Sequence, residues 1–161
     1  MDNNEEKTEA LIIFGQNIRK TREKRNLNIS ELAARSQYDR NCLSQLEYGE
    51  YNVSYQTALK LAKELNISFP ALFSRNYLPT ESDIFCEDDF LMVFIENIKR
   101  QLKAKGMSQA RIYIESGIQE SVVSRVLNRK INNPTINTLW KIARSITDDD
   151  ISRLFLRNNE M

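Results

Sequence analysis

Residues 121–143 read SVVSRVLNRKINNPTINTLWKIA, and residues 41–62 read NCLSQLEYGEYNVSYQTALKLA. Laid over one another, Val123–Ser124–x–Val126 falls on Leu43–Ser44–x–Leu46, and Ile142–Ala143 falls on Leu61–Ala62. The match extends upstream at an offset of 80 residues: Asn97–Ile98 on Asn17–Ile18, Met107 on Leu27, Ile112 on Leu32, Ser116 on Ser36 and Ile118 on Tyr38. After Asn132 the offset becomes 81, so the second copy has one extra loop residue. Positions that repeat are those a helical periodicity turns inward, which predicts a duplicated core. Outward positions have diverged.

Periodicity around these stretches predicts helices throughout. Leu11, Phe14, Ile18 and the stem of Arg22 share one helical face, with Arg19, Lys20 and Lys24 on the other. ISELAARS follows as a short helix, then a three-residue turn at Gln37–Tyr38–Asp39. Asp39 is placed to cap RNCLSQLEYG, which Gly49 stops, and Ser54 to cap YQTALKLAKEL. FPALF reads as a last helical turn. Four Gly and three Pro in 161 residues leave little to break such helices. The expected organisation is an acidic tail (1–9), a first module (10–75), an acidic linker (76–89), a second module (90–157) and a short C-terminal tail (158–161). LIIF (Leu11–Phe14) and FLMVFI (Phe90–Ile95) are expected to pack the halves together. Within the linker, Ile84 and Phe85 are candidates to tuck against a neighbour. Thr147 is expected to cap the turn that begins with Asp148–Asp150.

Net charge is only +1, but its distribution is uneven. Residues 94–146 hold ten Lys/Arg against three Asp/Glu, a net of +7, and residues 10–75 hold ten against six, a net of +4. Two basic modules separated by acidic segments suit a polyanionic partner. The chain contains no histidine, which removes the commonest general base and metal ligand. Cys42 and Cys86 form no CxxC pair and read as reduced thiols. With no Gly-rich phosphate loop and no nucleophile beside a base, neither enzymatic activity nor a cofactor or metal is expected. The acidic start is unlike a signal peptide and the apolar runs are too short to span a bilayer, so a cytoplasmic protein is expected.

Two short helices joined by a three-residue turn meet the demands of a helix-turn-helix. These are a small residue where the helices cross, a turn residue tolerant of the left-handed region, and apolar locks into the body. The second helix must carry polar residues at its N-terminal end. Leu32, Ala33, Tyr38, Leu43 and Leu46 fill the packing positions in the first copy; Ile112, Gly117, Ile118, Val123 and Val126 serve in the second. On ISELAARSQYDRNCLSQLEYG and MSQARIYIESGIQESVVSRVLNRKINNPTINTLWKIA, both modules resemble the lambda-repressor/Cro (XRE-type) helix-turn-helix family. The resemblance implies an all-α fold of two tandem five-helix domains, arranged as an internal pseudo-dimer. Each copy departs once from the pattern: Gln37 replaces the turn glycine, and Tyr113 occupies the place of Ala33. Tyr113 must either widen the helix crossing or swing outward.

Carried over residue by residue, the resemblance gives Arg40, Asn41, Ser44 and Gln45 as base-reading residues of the first module. Glu120, Ser121, Ser124 and Arg125 are those of the second. Arg suits guanine, and Asn or Gln suits adenine, through paired hydrogen bonds; Glu accepts only from cytosine. Phosphate contacts are expected from Gln109, Arg111, Arg129, Lys130 and Asn132, and from Tyr48, Tyr51, Asn52 and Tyr55 in the first copy. The implied partner is double-stranded DNA, read at two unlike half-sites by a single chain with internal pseudo-two-fold symmetry. The expected role is transcriptional repression. Two alternatives stay open: an accessory factor for DNA processing on a mobile element, and a protein with one DNA-binding and one protein-binding module.

Overall fold

A computed structural model describes residues 6–157. Residues 1–5 of the expected acidic tail and the expected C-terminal tail lie outside that range. The chain is all-α. Its first half carries α1 (Glu9–Lys24), α2 (Ile29–Ser36), α3 (Arg40–Glu47), α4 (Tyr55–Glu64) and a 3-10 turn, Pro70–Phe73. The second repeats the order with α5 (Phe90–Ala104), α6 (Ala110–Ser116), α7 (Glu120–Leu127), α8 (Ile136–Arg144) and a 3-10 turn, Ile151–Phe155. No helix among the described residues is long and apolar enough to cross a membrane.

Local chemistry sets most boundaries. Thr8, Asn28, Asp39 and Ser54 cap the four helices of the first module through side-chain oxygens; Asp89 and Thr135 cap α5 and α8. Thr8 and Glu9, expected in the tail, thus belong to the start of α1. Three turns adopt the left-handed region at matching places in the two copies: Asn26 and Gly106, Gln37 and Gly117, Gly49 and Arg129. Each pair holds one glycine. At the final turn the cap is Asp150, which accepts from the Ser152 amide, while Thr147 Oγ1 accepts from Asp149. The expected capping role of Thr147 is therefore corrected: it braces the approach to the turn.

A buried asparagine closes each module in the same way. Asn17 Nδ2 donates to the carbonyls of Leu72 and Ser74, both at 3.0 Å; Asn97 Nδ2 donates to those of Leu154 and Leu156, both at 2.9 Å. Each bond ties the first helix of a module to its last turn. The bonds to Leu72 and Leu154 are buried, where a carbonyl cut off from water needs a partner.

One core runs through both halves. Phe69 stacks on Phe90 at 4.8 Å and meets Phe155 edge-on at 5.0 Å, while Phe73 lies 5.2 Å from Phe155. Phe14 and Phe94 extend the cluster on either side. LIIF and FLMVFI send Leu11, Phe14, Phe90, Leu91 and Phe94 into this shared core. The linker is docked as well: Tyr77 is buried, Phe85 is half-buried and Ile84 stays exposed. The Phe85 amide donates to Asn66 Oδ1.

Polar contacts between the modules are reciprocal. Tyr55 N donates to Pro134 O (2.8 Å) and Ile136 N donates to Val53 O (2.9 Å). Gln56 N donates to Asn133 Oδ1 (2.9 Å) and Asn137 N to Asn52 Oδ1 (3.2 Å). At the offset of 81, each bond maps onto the other of its pair when the modules are exchanged. Such self-complementarity is the signature of a two-fold interface, here within one chain.

Candidate nucleic-acid interface

Each module presents a helix-turn-helix whose second helix is seated by its inner face. In α3, Leu43 and Leu46 are buried, whereas Arg40, Asn41 and Gln45 are exposed and Ser44 is partly so. In α7, Val123 and Val126 are buried, whereas Glu120, Ser121 and Arg125 are exposed and Ser124 is partly so. The eight expected base-reading residues thus lie on the outward sides of two equivalent helices. Arg40 and Glu120 each open their helix. The Cys42 amide donates to Asp39 and holds its carboxyl below the usual aspartate range. No side chain caps α7, whose N-cap position is Gln119.

The two recognition helices are anchored differently. Gly15 lets α1 approach α3 so closely that a Cβ there would lie 2.2 Å from the Leu46 carbonyl oxygen. Ile95 holds the equivalent place in α5. Beneath α3, Arg22 Nε and Nη2 grip Glu47 at 2.6 and 3.2 Å, and Arg22 Nη1 donates to the Leu27 carbonyl. Leu102 and Leu127, both buried, occupy the equivalent places in the second module. In the turns, Gln37 takes φ 53° and Gly117 φ 72°, so glutamine accepts the left-handed conformation that its place demands. Tyr113 is half-buried, and Gln109 Nε2 donates to its hydroxyl at 3.1 Å.

The expected phosphate-binding residues divide into three groups. Lys130 and Asn132 are exposed beyond the end of α7, and Tyr48 is 56% exposed at the end of α3. Arg111 and Arg129 are exposed but ion-paired, with Glu115 (3.5 Å) and Asp89 (2.6 Å); Gln109 is engaged by Tyr113. Tyr51 is half-buried edge-on to Tyr38; burial first, then the Tyr51 hydroxyl, pushes the Tyr38 phenol well above its usual range. The remaining two face the other module. Tyr55 corrects the expectation: its ring is buried against Phe69 and its hydroxyl accepts from the Leu91 amide at 3.2 Å, which removes it from any phosphate. Asn52 spends its side-chain oxygen on Asn137 across the interface. Arg19 was not among the expected contacts, yet its guanidinium lies 5.7 Å over the Tyr48 ring. Its place on the basic face of α1 was the available signal.

Comparison with known proteins agrees with this geometry. Two copies of a helix-turn-helix, with polar residues outward on the second helix of each, define a DNA-binding protein. Residues 18–72 match the family described as "Helix-turn-helix", and residues 97–147 match "Cro/C1-type HTH DNA-binding domain". The chain is similar to "Control protein C.SmaI" of Serratia marcescens, at 38% identity over 69 residues, which is 43% of this chain and 82% of that protein. No solved structure matches significantly. The chain belongs to the lambda-repressor/Cro (XRE-type) helix-turn-helix family, and it is a DNA-binding regulator of transcription.

Proposed function

We propose that the protein is a sequence-specific repressor that binds one imperfect inverted repeat as a single chain, with α3 and α7 in successive major grooves. The observation that carries this reading is the reciprocal bonding of Tyr55 with Pro134 and of Ile136 with Val53. Family members reach two half-sites about 34 Å apart by dimerising. Here an internal pseudo-dyad supplies the second recognition helix, and no second chain is needed. Base reading falls to Arg40, Asn41, Ser44 and Gln45 in one half and to Glu120, Ser121, Ser124 and Arg125 in the other. Lys130, Asn132, Arg111, Arg129 and Gln109 supply phosphate contacts beside α7, and Tyr48 and Tyr51 beside α3. The relative's name, a control protein, is consistent with a regulatory role.

The test is a footprint on the DNA upstream of the gene, with sedimentation of the complex. One chain should protect two adjacent major grooves at a promoter and lower transcription from it. Protection of a single half-site, or two chains per site, overturns the single-chain reading. Protection at an origin or nick site instead assigns the protein to DNA processing.

A second reading draws on Ile114, 77% exposed on α6 where the first module has Ala34. In it, the second module docks a protein while the first holds DNA. Unchanged DNA affinity in the Ser121→Ala/Arg125→Ala variant would select that reading.

A further inference from the structure

Arg40 and Glu120 are the first residues of α3 and α7, and both are exposed. The reciprocal bonds between Val53–Gln56 and Asn133–Asn137 relate the two modules, and with them the two helices. Side chains at matching helix positions therefore meet dyad-related base pairs. At one such position the chemistry inverts: a guanidinium with five donors faces the groove in one half, and a carboxylate with only acceptors faces it in the other. A second inequality lies one turn further, where Gln45 matches Arg125. Among the described residues, neither Glu120 nor Arg125 makes an ion pair.

Major-groove chemistry converts these differences into bases. Guanine presents two acceptors, N7 and O6, which an arginine meets with two donors; cytosine presents only the N4 amino donor, which a carboxylate can accept. Adenine presents the acceptor–donor pair that suits glutamine. We propose that the two half-sites carry opposite base pairs at one dyad-related position, guanine facing Arg40 and cytosine facing Glu120. At a second position, adenine faces Gln45 and guanine faces Arg125. This rests on the single-chain reading above and goes further by fixing how the site departs from symmetry. A consequence is that the protein binds in one orientation, with its first module on the box that carries guanine and adenine and its second on the box that carries cytosine and guanine.

Selection from a randomised duplex library with the full-length chain tests the inference. The recovered site should show two boxes about a dyad, related by a G-to-C exchange at one position and an A-to-G exchange at another. Against it, a symmetrised duplex with two Arg40-type boxes should bind at least roughly 30-fold more weakly, the lower bound for two mispaired contacts. The Glu120→Arg/Arg125→Gln variant should reverse that preference. The converse Arg40→Glu/Gln45→Arg variant should favour two boxes of the second type and guards against a folding defect in either protein. Recovery of a symmetric two-box site, or preferences unmoved in both variants, overturns the inference while leaving the single-chain reading intact. Recovery of one box alone, or of no duplex, overturns both.

Discussion

Arg22 holds Glu47 with two hydrogen bonds beneath α3, and the second module fills the same two places with Leu102 and Leu127. One fold has thus packed its recognition helix in two ways, with a largely buried ion pair and with a buried apolar pair. Removing one partner of the ion pair strands a charge at a cost of about 3–5 kcal/mol, whereas replacing both with apolar residues is close to neutral or stabilising. Glu47→Leu alone is therefore expected to lose about 3 kcal/mol in urea denaturation. The Arg22→Leu/Glu47→Leu double variant is expected to match the wild type within about 1 kcal/mol. Equal losses in the single and double variants would show that the pair itself holds α3.

Gly15 makes a sharper steric prediction. An alanine Cβ would sit 2.2 Å from the Leu46 carbonyl oxygen and 2.8 Å from that of Glu47, and backbone atoms yield poorly. Gly15→Ala should cost about 1–3 kcal/mol as overpacking and push α3 outward. Thermal unfolding reads the first effect, and weakened binding to the first half-site reads the second. An unperturbed melting temperature would show that the α1–α3 spacing is softer than the structure implies.

Arg129 occupies the left-handed region at φ 58°, where the first module has Gly49 at φ 72°. A side chain there costs about 1–2 kcal/mol, so Arg129→Gly should raise stability by up to about 1 kcal/mol after the entropy cost of glycine. If Arg129 clamps a phosphate, the same change should lower the slope of log affinity against log salt by about 0.9. Gln37→Gly relieves the same strain at φ 53° and should stabilise without altering the slope. Chemical denaturation and salt titrations of both variants separate strain kept for function from strain that is merely tolerated. Identical slopes in the two variants would remove Arg129 from the phosphate contacts.

What the sequence disclosed follows from the range of each signal. Caps at Asp39 and Ser54, the turn at Gln37 and the buried faces of α3 and α7 are local, set by residues within four positions of one another. Alignment of the repeat supplied what single positions lacked, since Gly117 marks a turn that Gln37 hides. Tyr55 was misplaced because its surroundings are set by Leu91 and Phe69, and nothing near it in sequence announces that contact. Asn52 and Asn133 differ from any surface asparagine only through the pseudo-dyad. The Arg129–Asp89 pair spans 40 residues and was invisible for the same reason.

The docked linker makes the fold sensitive to pH at both extremes. Tyr77 donates to Asp83 Oδ2 at 2.5 Å, and Thr80 donates to the same carboxylate from its amide and hydroxyl. Burial pushes Asp83 up, but the bonds from Thr80 and Tyr77 outweigh it, and the carboxyl ends below its usual range. Burial and the Asp83 bond push Tyr77 up to about 12. The contribution of Asp83 is present above the ordinary aspartate pKa near 4 and is lost as pH falls through its depressed folded value. That of Tyr77 is full below about pH 10, the ordinary tyrosine value, and is lost as pH rises through about 12. Tyr77→Phe should shrink the late alkaline limb of tyrosinate absorbance by one group and leave the part that Tyr38 and Tyr55 supply. A limb of unchanged amplitude in the variant would remove Tyr77 from it.

Phe69 belongs to the first module by sequence, yet it touches Phe90 and Phe155 of the second at 4.8 and 5.0 Å. The chain has a single tryptophan, Trp140, on α8 of the second module, so its fluorescence reports that module and its seam with the start of α1, where Thr8 donates to Asn137. Phe69→Ala empties a fully buried site and should cost about 3–5 kcal/mol. With a shared core, the loss must appear at Trp140 although the substitution lies in the other module. The fluorescence midpoint should fall by as much as that of far-ultraviolet circular dichroism, with the two transitions coincident. If the modules folded independently, the Trp140 transition would stay in place while the dichroism split into two steps. Coincidence would also mean that neither recognition helix can unfold without the other, so two half-sites would be bound or released together.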